Sequence, residues 1–150
     1  MTYNYTFDSI IGKINLCADD EALTNLGFGS GSGNNPNGII LEAVKQLSEY
    51  FDGKRQSFDL PLKPHGTEFQ QKVWSALLEI PYGETRTYGE IAAATGNPKA
   101  CRAVGMANNR NPIAVIIPCH RVIGSNGALT GYAGGLKAKE ILLELENNRG

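Results

Sequence analysis

The chain has 150 residues, 41% of them hydrophobic, and a formal net charge of −1. No apolar run exceeds five residues, which excludes a membrane-spanning helix. Three widely spaced cysteines (Cys17, Cys101, Cys119), with no CxxC pair and no His-rich set, argue against a disulfide framework and a structural zinc site. Met1 to Phe7 lacks the basic end and apolar core of a secretory signal, so a cytoplasmic, reducing setting is expected. The charge is uneven. Residues 1–63 carry five Lys/Arg against eight Asp/Glu, and the window 81–121 carries five against two. An anionic partner suits that window, although so small an excess is weak evidence by itself.

Apolar–polar alternation predicts strands over residues 2–7, 10–18 and 22–28, with Asp8-Ser9 and Asp19-Asp20 as turns. Gly29 to Gly38 reads as a flexible loop. It lacks the Gly-Lys-Ser/Thr of a phosphate cradle. Ile40, Leu41, Val44, Leu47 and Phe51 recur at helical spacing and predict a helix over 38–51, ended by Gly53. Phe58 to Leu62 is expected as an edge strand and Cys17 as a core thiol. Nothing in this half carries chemistry. Lys63-Pro64-His65-Gly66 divides the chain into 1–63 and 64–150, with His65 solvated.

Thr67 and Gln70 form a capping box that opens a helix over about 68–79, with Phe69, Val73 and Leu77, and Trp74 and Leu78 alongside, on its inner face. Thr87 and Glu90 form a second, opening a short helix through Ala94. Gly96 stops it, and Asn97-Pro98 is expected to start the next helix as N-cap and first residue. The pair reads as a helix-turn-helix. Ala100, Cys101, Ala103, Gly105 and Ala107 leave the second helix almost bare, with Lys99 and Arg102 projecting. Such a helix suits close approach to a minor groove, or equally tight packing in a core. Gly124 to Gly127 is a turn, Thr130 to Gly135 a Gly-rich loop able to wall a pocket, and Leu136 to about Asn147 the last helix. Glu146 leans toward its apolar face and needs a partner, for which His120 is the candidate.

Ile113-Ala114-Val115-Ile116-Ile117 reads as a short buried strand, ended by Pro118. Directly after it come Cys119, His120 and Arg121. A thiol followed by a base and a fixed cation is where a sulfur held ionised would be built, although a lone cysteine is as readily a buried structural thiol.

Together, Gly66-Thr67-Glu68-Phe69-Gln70, Val73-Trp74, Ile80-Pro81-Tyr82-Gly83-Glu84-Thr85, Tyr88, Arg102-Ala103-Val104-Gly105, Asn111-Pro112, Ile117-Pro118-Cys119-His120-Arg121-Val122, Gly131-Tyr132 and Gly134-Gly135 resemble the O6-alkylguanine-DNA alkyltransferases, also called methylated-DNA–protein-cysteine methyltransferases. The resemblance covers about residues 66–147. It implies a mixed α/β (α+β) fold, with a small antiparallel sheet and helix followed by a mainly helical lobe. It also implies single-turnover repair of double-stranded DNA, in which an O6-alkylguanine, and by extension an O4-alkylthymine, is flipped into a pocket and its alkyl group moves irreversibly to Cys119.

In that pattern His120 deprotonates Cys119 through a water, Glu146 orients His120, and Asn111 buttresses the site. Arg102 fills the gap left by the flipped base, and Ala103, Gly105 and Arg110 lie on the DNA-binding surface. Tyr88 turns the target's phosphate and donates a proton, while Val122, Tyr132, Ala133 and Gly134 line the base pocket. Ala133 stands where some members carry a hydroxyl residue, which removes one hydrogen bond to O6. The zinc ligands that some members carry near the N-terminus are absent, so neither metal nor cofactor is expected, and the chain is expected to act as a monomer. The rivals are a non-catalytic alkyl-DNA binder, a cysteine hydrolase using Cys119, His120 and Glu146, and a plain helix-turn-helix regulator.

Overall fold

A computed structural model describes residues 1–29 and 33–147. Strands β1 (Tyr3–Ser9), β2 (Gly12–Ala18) and β3 (Leu23–Phe28) form an antiparallel meander. Along β2 the side chains alternate, so Ile14, Leu16 and Ala18 enter the core. Cys17 therefore falls on the other face and is only half-buried, not the core thiol expected. The Gly-rich stretch after β3 is not wholly a loop. Asn34–Asn35 forms a fourth strand, β4, on β1, giving the order β3-β2-β1-β4, while residues 30–32 lie outside the described set. Helix α1 (Gly38–Phe51) is capped by Asn37 and packs Ile40, Ala43, Leu47 and Tyr50 into the core. Residues 58–62 touch β3 through one parallel bridge, Leu23 to Leu62, rather than as a full edge strand.

Both capping boxes form. Thr67 opens α2 (Glu68–Leu78) and Thr87 opens α3 (Tyr88–Ala94). Helix α4 (Cys101–Asn109) starts later than Asn97 predicts, with Ala100 as an N-cap that makes no side-chain bond. Asn97 caps a turn instead: its Oδ1 accepts from Lys99 N at 3.3 Å and its carbonyl from Ala100 N at 3.0 Å. A short turn thus takes the capping residue that the helix would have used. Two-residue strands β5 (Arg86–Thr87) and β6 (Val122–Ile123) pair in parallel and fix the start of α3 beside residue 122. Helix α5 (Leu136–Asn147) closes the fold, and one continuous core joins its Leu142 to Trp74, Tyr50 and Leu16.

Residues 113–117 are buried, but they are not a strand. Only Ile113 bridges, to Leu26. The rest curls. Ile116 N donates to Ala114 O at 2.8 Å, Ile117 N to Ile113 O at 3.0 Å and Cys119 N to Ile117 O at 2.8 Å. Val115 sits at φ +71°, a left-handed conformation that a β-branched residue adopts only under tertiary constraint. Asn111 supplies the constraint. Its Nδ2 donates to Ile117 O at 2.7 Å and its Oδ1 accepts from Ile113 N at 3.0 Å, pinning both ends of the turn.

Candidate active site

The coil delivers Cys119, His120 and Arg121 as one turn of 3₁₀ helix, all three buried. Pro118, at φ −81° and ψ 64°, makes a tight turn that aims Cys119 inward. Opposite lies the buried face of α5. Lys139, Leu142 and Glu146 recur along it at helical spacing.

Glu146 is the hub and is 3% exposed. Its Oε2 accepts from Tyr50 OH at 2.5 Å, His120 Nε2 at 2.8 Å and Arg121 Nη2 at 2.9 Å. Its Oε1 accepts from Arg121 Nε at 2.8 Å and Gly83 N at 3.3 Å. Desolvation works to raise this carboxyl, but the bonds from His120 and Arg121 outweigh it and hold it at about 2. Arg121 donates its remaining bond to Ile80 O at 2.7 Å and lies over the Tyr82 ring.

His120 is fully buried, and burial lowers its pKa against the pull of Glu146, so the ring is neutral at pH 7. Since Glu146 is ionised, Nε2 carries the proton and donates. Nδ1 is then a lone pair, with no hydrogen-bond partner among the described residues.

Cys119 is 4% exposed. Burial pushes its thiol up to about 11, while Asn111 and then Lys139 draw it down. Desolvation thus works against the ionised sulfur expected from the sequence. The guanidinium that was to stabilise it is spent on Glu146, and desolvation prevails.

The other expected site residues divide. Val122 is buried beside Cys119. Tyr132 has its hydroxyl buried without a partner among the described residues, and it senses the charge of both Cys119 and Glu146. Gly134 packs so closely on Phe28 that an added Cβ would lie 2.9 Å from the ring, and Tyr132 meets the same ring edge-on at 5.7 Å. Strand β3 thus holds the Gly-rich loop in place. Ala133 is exposed. Tyr88 reaches this loop through a hydrogen bond between its hydroxyl and Thr130 Oγ1. Arg102, Ala103 and Arg110 are exposed on or just after α4, and Gly105 lies under the Tyr88 ring.

Three members of the cluster escaped the sequence reading: Tyr50, Lys139, and Arg121 as partner of Glu146. The signal available was position alone. Tyr50 follows Leu47 and Lys139 precedes Leu142 on the inner faces of their helices. Tyr50 reaches Glu146 from the half thought inert. Tyr50→Phe is expected to cost about 1–3 kcal/mol, since it removes one bond to a buried charge that keeps its other donors; urea unfolding measures it.

Comparison with known proteins adds the family. The model of the 6-O-methylguanine DNA methyltransferase DNA binding domain matches residues 68–148, and that of the ribonuclease-like domain matches residues 1–64. The chain belongs to the 6-O-methylguanine DNA methyltransferases. Among relatives in this family, a methylated-DNA–protein-cysteine methyltransferase of Methanosarcina acetivorans is 57% identical over 97% of this chain and 99% of its own length. That of Mycobacterium tuberculosis is 52% identical over 99% and 94%. The crystal structure of the M. tuberculosis O6-methylguanine methyltransferase superposes with a TM-score of 0.92 at 51% identity, covering 100% of this chain and 95% of that one. The crystal structure of M. tuberculosis OGT in complex with DNA matches with a TM-score of 0.92 at 51% identity, over 99% of this chain and 94% of that one.

Proposed function

We propose that this chain repairs alkylated DNA by moving one alkyl group from the O6 of guanine to the sulfur of Cys119. The observation that carries this reading is the buried Cys119 beside a neutral His120 whose Nε2 is tied to ionised Glu146, in a chain of this family. Sulfur must attack as thiolate. Burial disfavours a free thiolate, so proton removal accompanies attack. A water between Sγ and His120 Nδ1 relays the proton, and Glu146 stabilises the imidazolium. The S–C bond forms as the C–O6 bond breaks, the electron pair passes to the guanine, and a proton delivered by Tyr88 or the imidazolium completes it. The thioether is stable to water, so each chain acts once. This chemistry needs neither metal nor cofactor, and the same site geometry extends to O4-alkylthymine.

Helices α3 and α4 serve as the helix-turn-helix. Arg102 with Ala103, Gly105 and Arg110 meets the minor groove, and Arg102 fills the space of the flipped base. Tyr88 exchanges Thr130 for the target's phosphate. Val122, Tyr132, Ala133 and Gly134 border the base, and Asn111 holds the coil that carries Cys119. Residues 64–150 form the reacting lobe and residues 1–63 support it through Tyr50 and Phe28. The chain acts as a cytoplasmic monomer. Among the described residues no helix is long and apolar enough to cross a membrane.

The experiment is a time course on duplex DNA holding one 6-O-methylguanine. Guanine should be restored to a plateau of one per chain, and continued turnover would contradict the reading. Arg102→Ala is expected to slow repair in duplex by about tenfold or more, the loss of one good DNA contact, while transfer from the free base is unchanged. Equal losses on both substrates would remove its role in the flip.

A further inference from the structure

Lys139 has no exposed surface, yet among the described residues it forms no ion pair. Its Nζ donates to Val122 O at 2.7 Å and Thr130 O at 3.3 Å, both neutral acceptors. A buried ammonium held only by carbonyls is costly. An amide could make the same two bonds without the charge.

The other groups around the site leave that charge unmatched. Arg121 cancels Glu146 through paired bonds of 2.8 and 2.9 Å. His120 is neutral, and the hydroxyls of Tyr50 on α1 and of Tyr132 on the loop are neutral too. Asn111, beside the sulfur, carries no charge, and Tyr88 on α3 faces Thr130. The thiol that can become an anion, Cys119, heads the turn that Lys139 grips: Val122 N donates back to Cys119 O, and Val122 O accepts from Lys139. Helix α5 presents Lys139 and Glu146 on one face to the turn of Cys119–Arg121, one to each end of the chemistry.

We propose that Lys139 is the counter-charge of the reacting sulfur, a positioning residue that stabilises the Cys119 thiolate as it forms and holds the Val122 carbonyl and the Thr130 loop at the edge of the site. This rests on Cys119 being the alkyl acceptor. The mutual pull agrees with it: Lys139 draws the Cys119 thiol down, and Cys119 draws Lys139 up against burial. A coupled pair of this kind shares its first proton loss. Removing that proton leaves a fixed mixture of thiolate–ammonium and thiol–amine, so the thiolate fraction levels off until the second proton departs.

The test follows alkylation of Cys119 by iodoacetamide against pH, read by peptide mass mapping in the full chain, for wild type, Lys139→Gln and Lys139→Arg. Wild-type rate should rise with pH and then level off. Lys139→Gln, which keeps donors for both carbonyls, should be about tenfold or more slower at neutral pH and keep climbing where wild type levels, since one unit of thiol pKa is tenfold in thiolate. Lys139→Arg, which keeps the charge, should recover most of the rate. Profiles for wild type and Lys139→Gln that superpose, or differ by one constant factor at every pH, would overturn the proposal. Should neither variant fold, ¹⁵N NMR of the Lys139 Nζ decides it without altering Lys139. Its titration should move to lower pH in Cys119→Ser, and identical titrations would overturn the proposal. Methyl transfer from DNA is measured alongside. If wild type accepts no methyl group while iodoacetamide still reports the pair, the alkyl-transfer reading falls and the pairing stands.

Discussion

Glu146→Gln is expected to cost about 3–5 kcal/mol of folding stability, the penalty for stranding a buried charge. A glutamine matches Glu146 in shape. However, Arg121 would keep its positive charge at 7% exposure with no anion, and the new amide group would face donors on Tyr50, His120 or Arg121. Set against a typical total of about 5–15 kcal/mol, that is a large share. Urea unfolding at pH 7 measures it. Where the variant still folds, transfer should slow by about 100-fold or more, because His120 loses the negative charge that stabilises its imidazolium as it takes the proton.

The pH dependence carries a definite sign. Glu146 is held at about 2 in the fold against an ordinary 4.5. Its contribution is therefore complete above about pH 5 and drains away as pH falls toward 2, about 3 kcal/mol in all. His120 is also depressed in the fold, so its share is present above its ordinary 6.5 and begins to fall below it. Acid unfolding should thus begin near pH 6.5 and steepen below 5. In Glu146→Gln the lower limb should shrink, leaving the smaller share of Asp19, which its bonds from Lys63 and from the backbone of Glu21 and Ala22 also hold below the usual carboxylate range.

Cys119→Ser should abolish transfer while the chain still folds and binds methylated duplex. The replacement changes one atom at a site with 4% exposure, so the packing around Ile117 and Val122 survives. An alcohol is far harder to ionise than a thiol, and the same burial that lifts Cys119 to about 11 would lift it further. His120 Nδ1 has no means of generating an alkoxide there. Binding measured by fluorescence anisotropy should stay within about threefold of wild type, since the phosphate and groove contacts that dominate affinity lie elsewhere. Residual transfer in this variant would point to Cys101, which is exposed at the start of α4, or to Cys17.

What could be read from the sequence was whatever local chemistry decides. The capping boxes at Thr67 and Thr87, the three alternating strands and the inward lean of Glu146 on its own helix all follow from side chains within a few residues of one another, and the buried carboxylate's need of a partner then points to His120. The coil at 113–117 did not, because a run of Ile and Val reports burial and says little about the backbone path. A bond from Asn111 to Ile117 bends that path and holds Val115 at φ +71°. Asn97 could not be placed because a turn and a helix compete for the same capping oxygen. Tyr50 meets Glu146 across 96 residues, and no periodicity encodes such a contact. The charges around the sulfur were hidden for a related reason. Arg121 follows Cys119 closely in the chain but spends its charge on Glu146, and the cation left over is Lys139.

The central claim is that one sulfur accepts the alkyl group, and peptide mass mapping after incubation with 6-O-methylguanine duplex tests it most directly. The peptide containing Cys119 should gain the mass of one methyl group in place of a hydrogen, in proportion to guanine restored, with the peptides of Cys17 and Cys101 unchanged. Guanine restored while the Cys119 peptide keeps its mass, or a methyl group found on either other cysteine, would contradict the account.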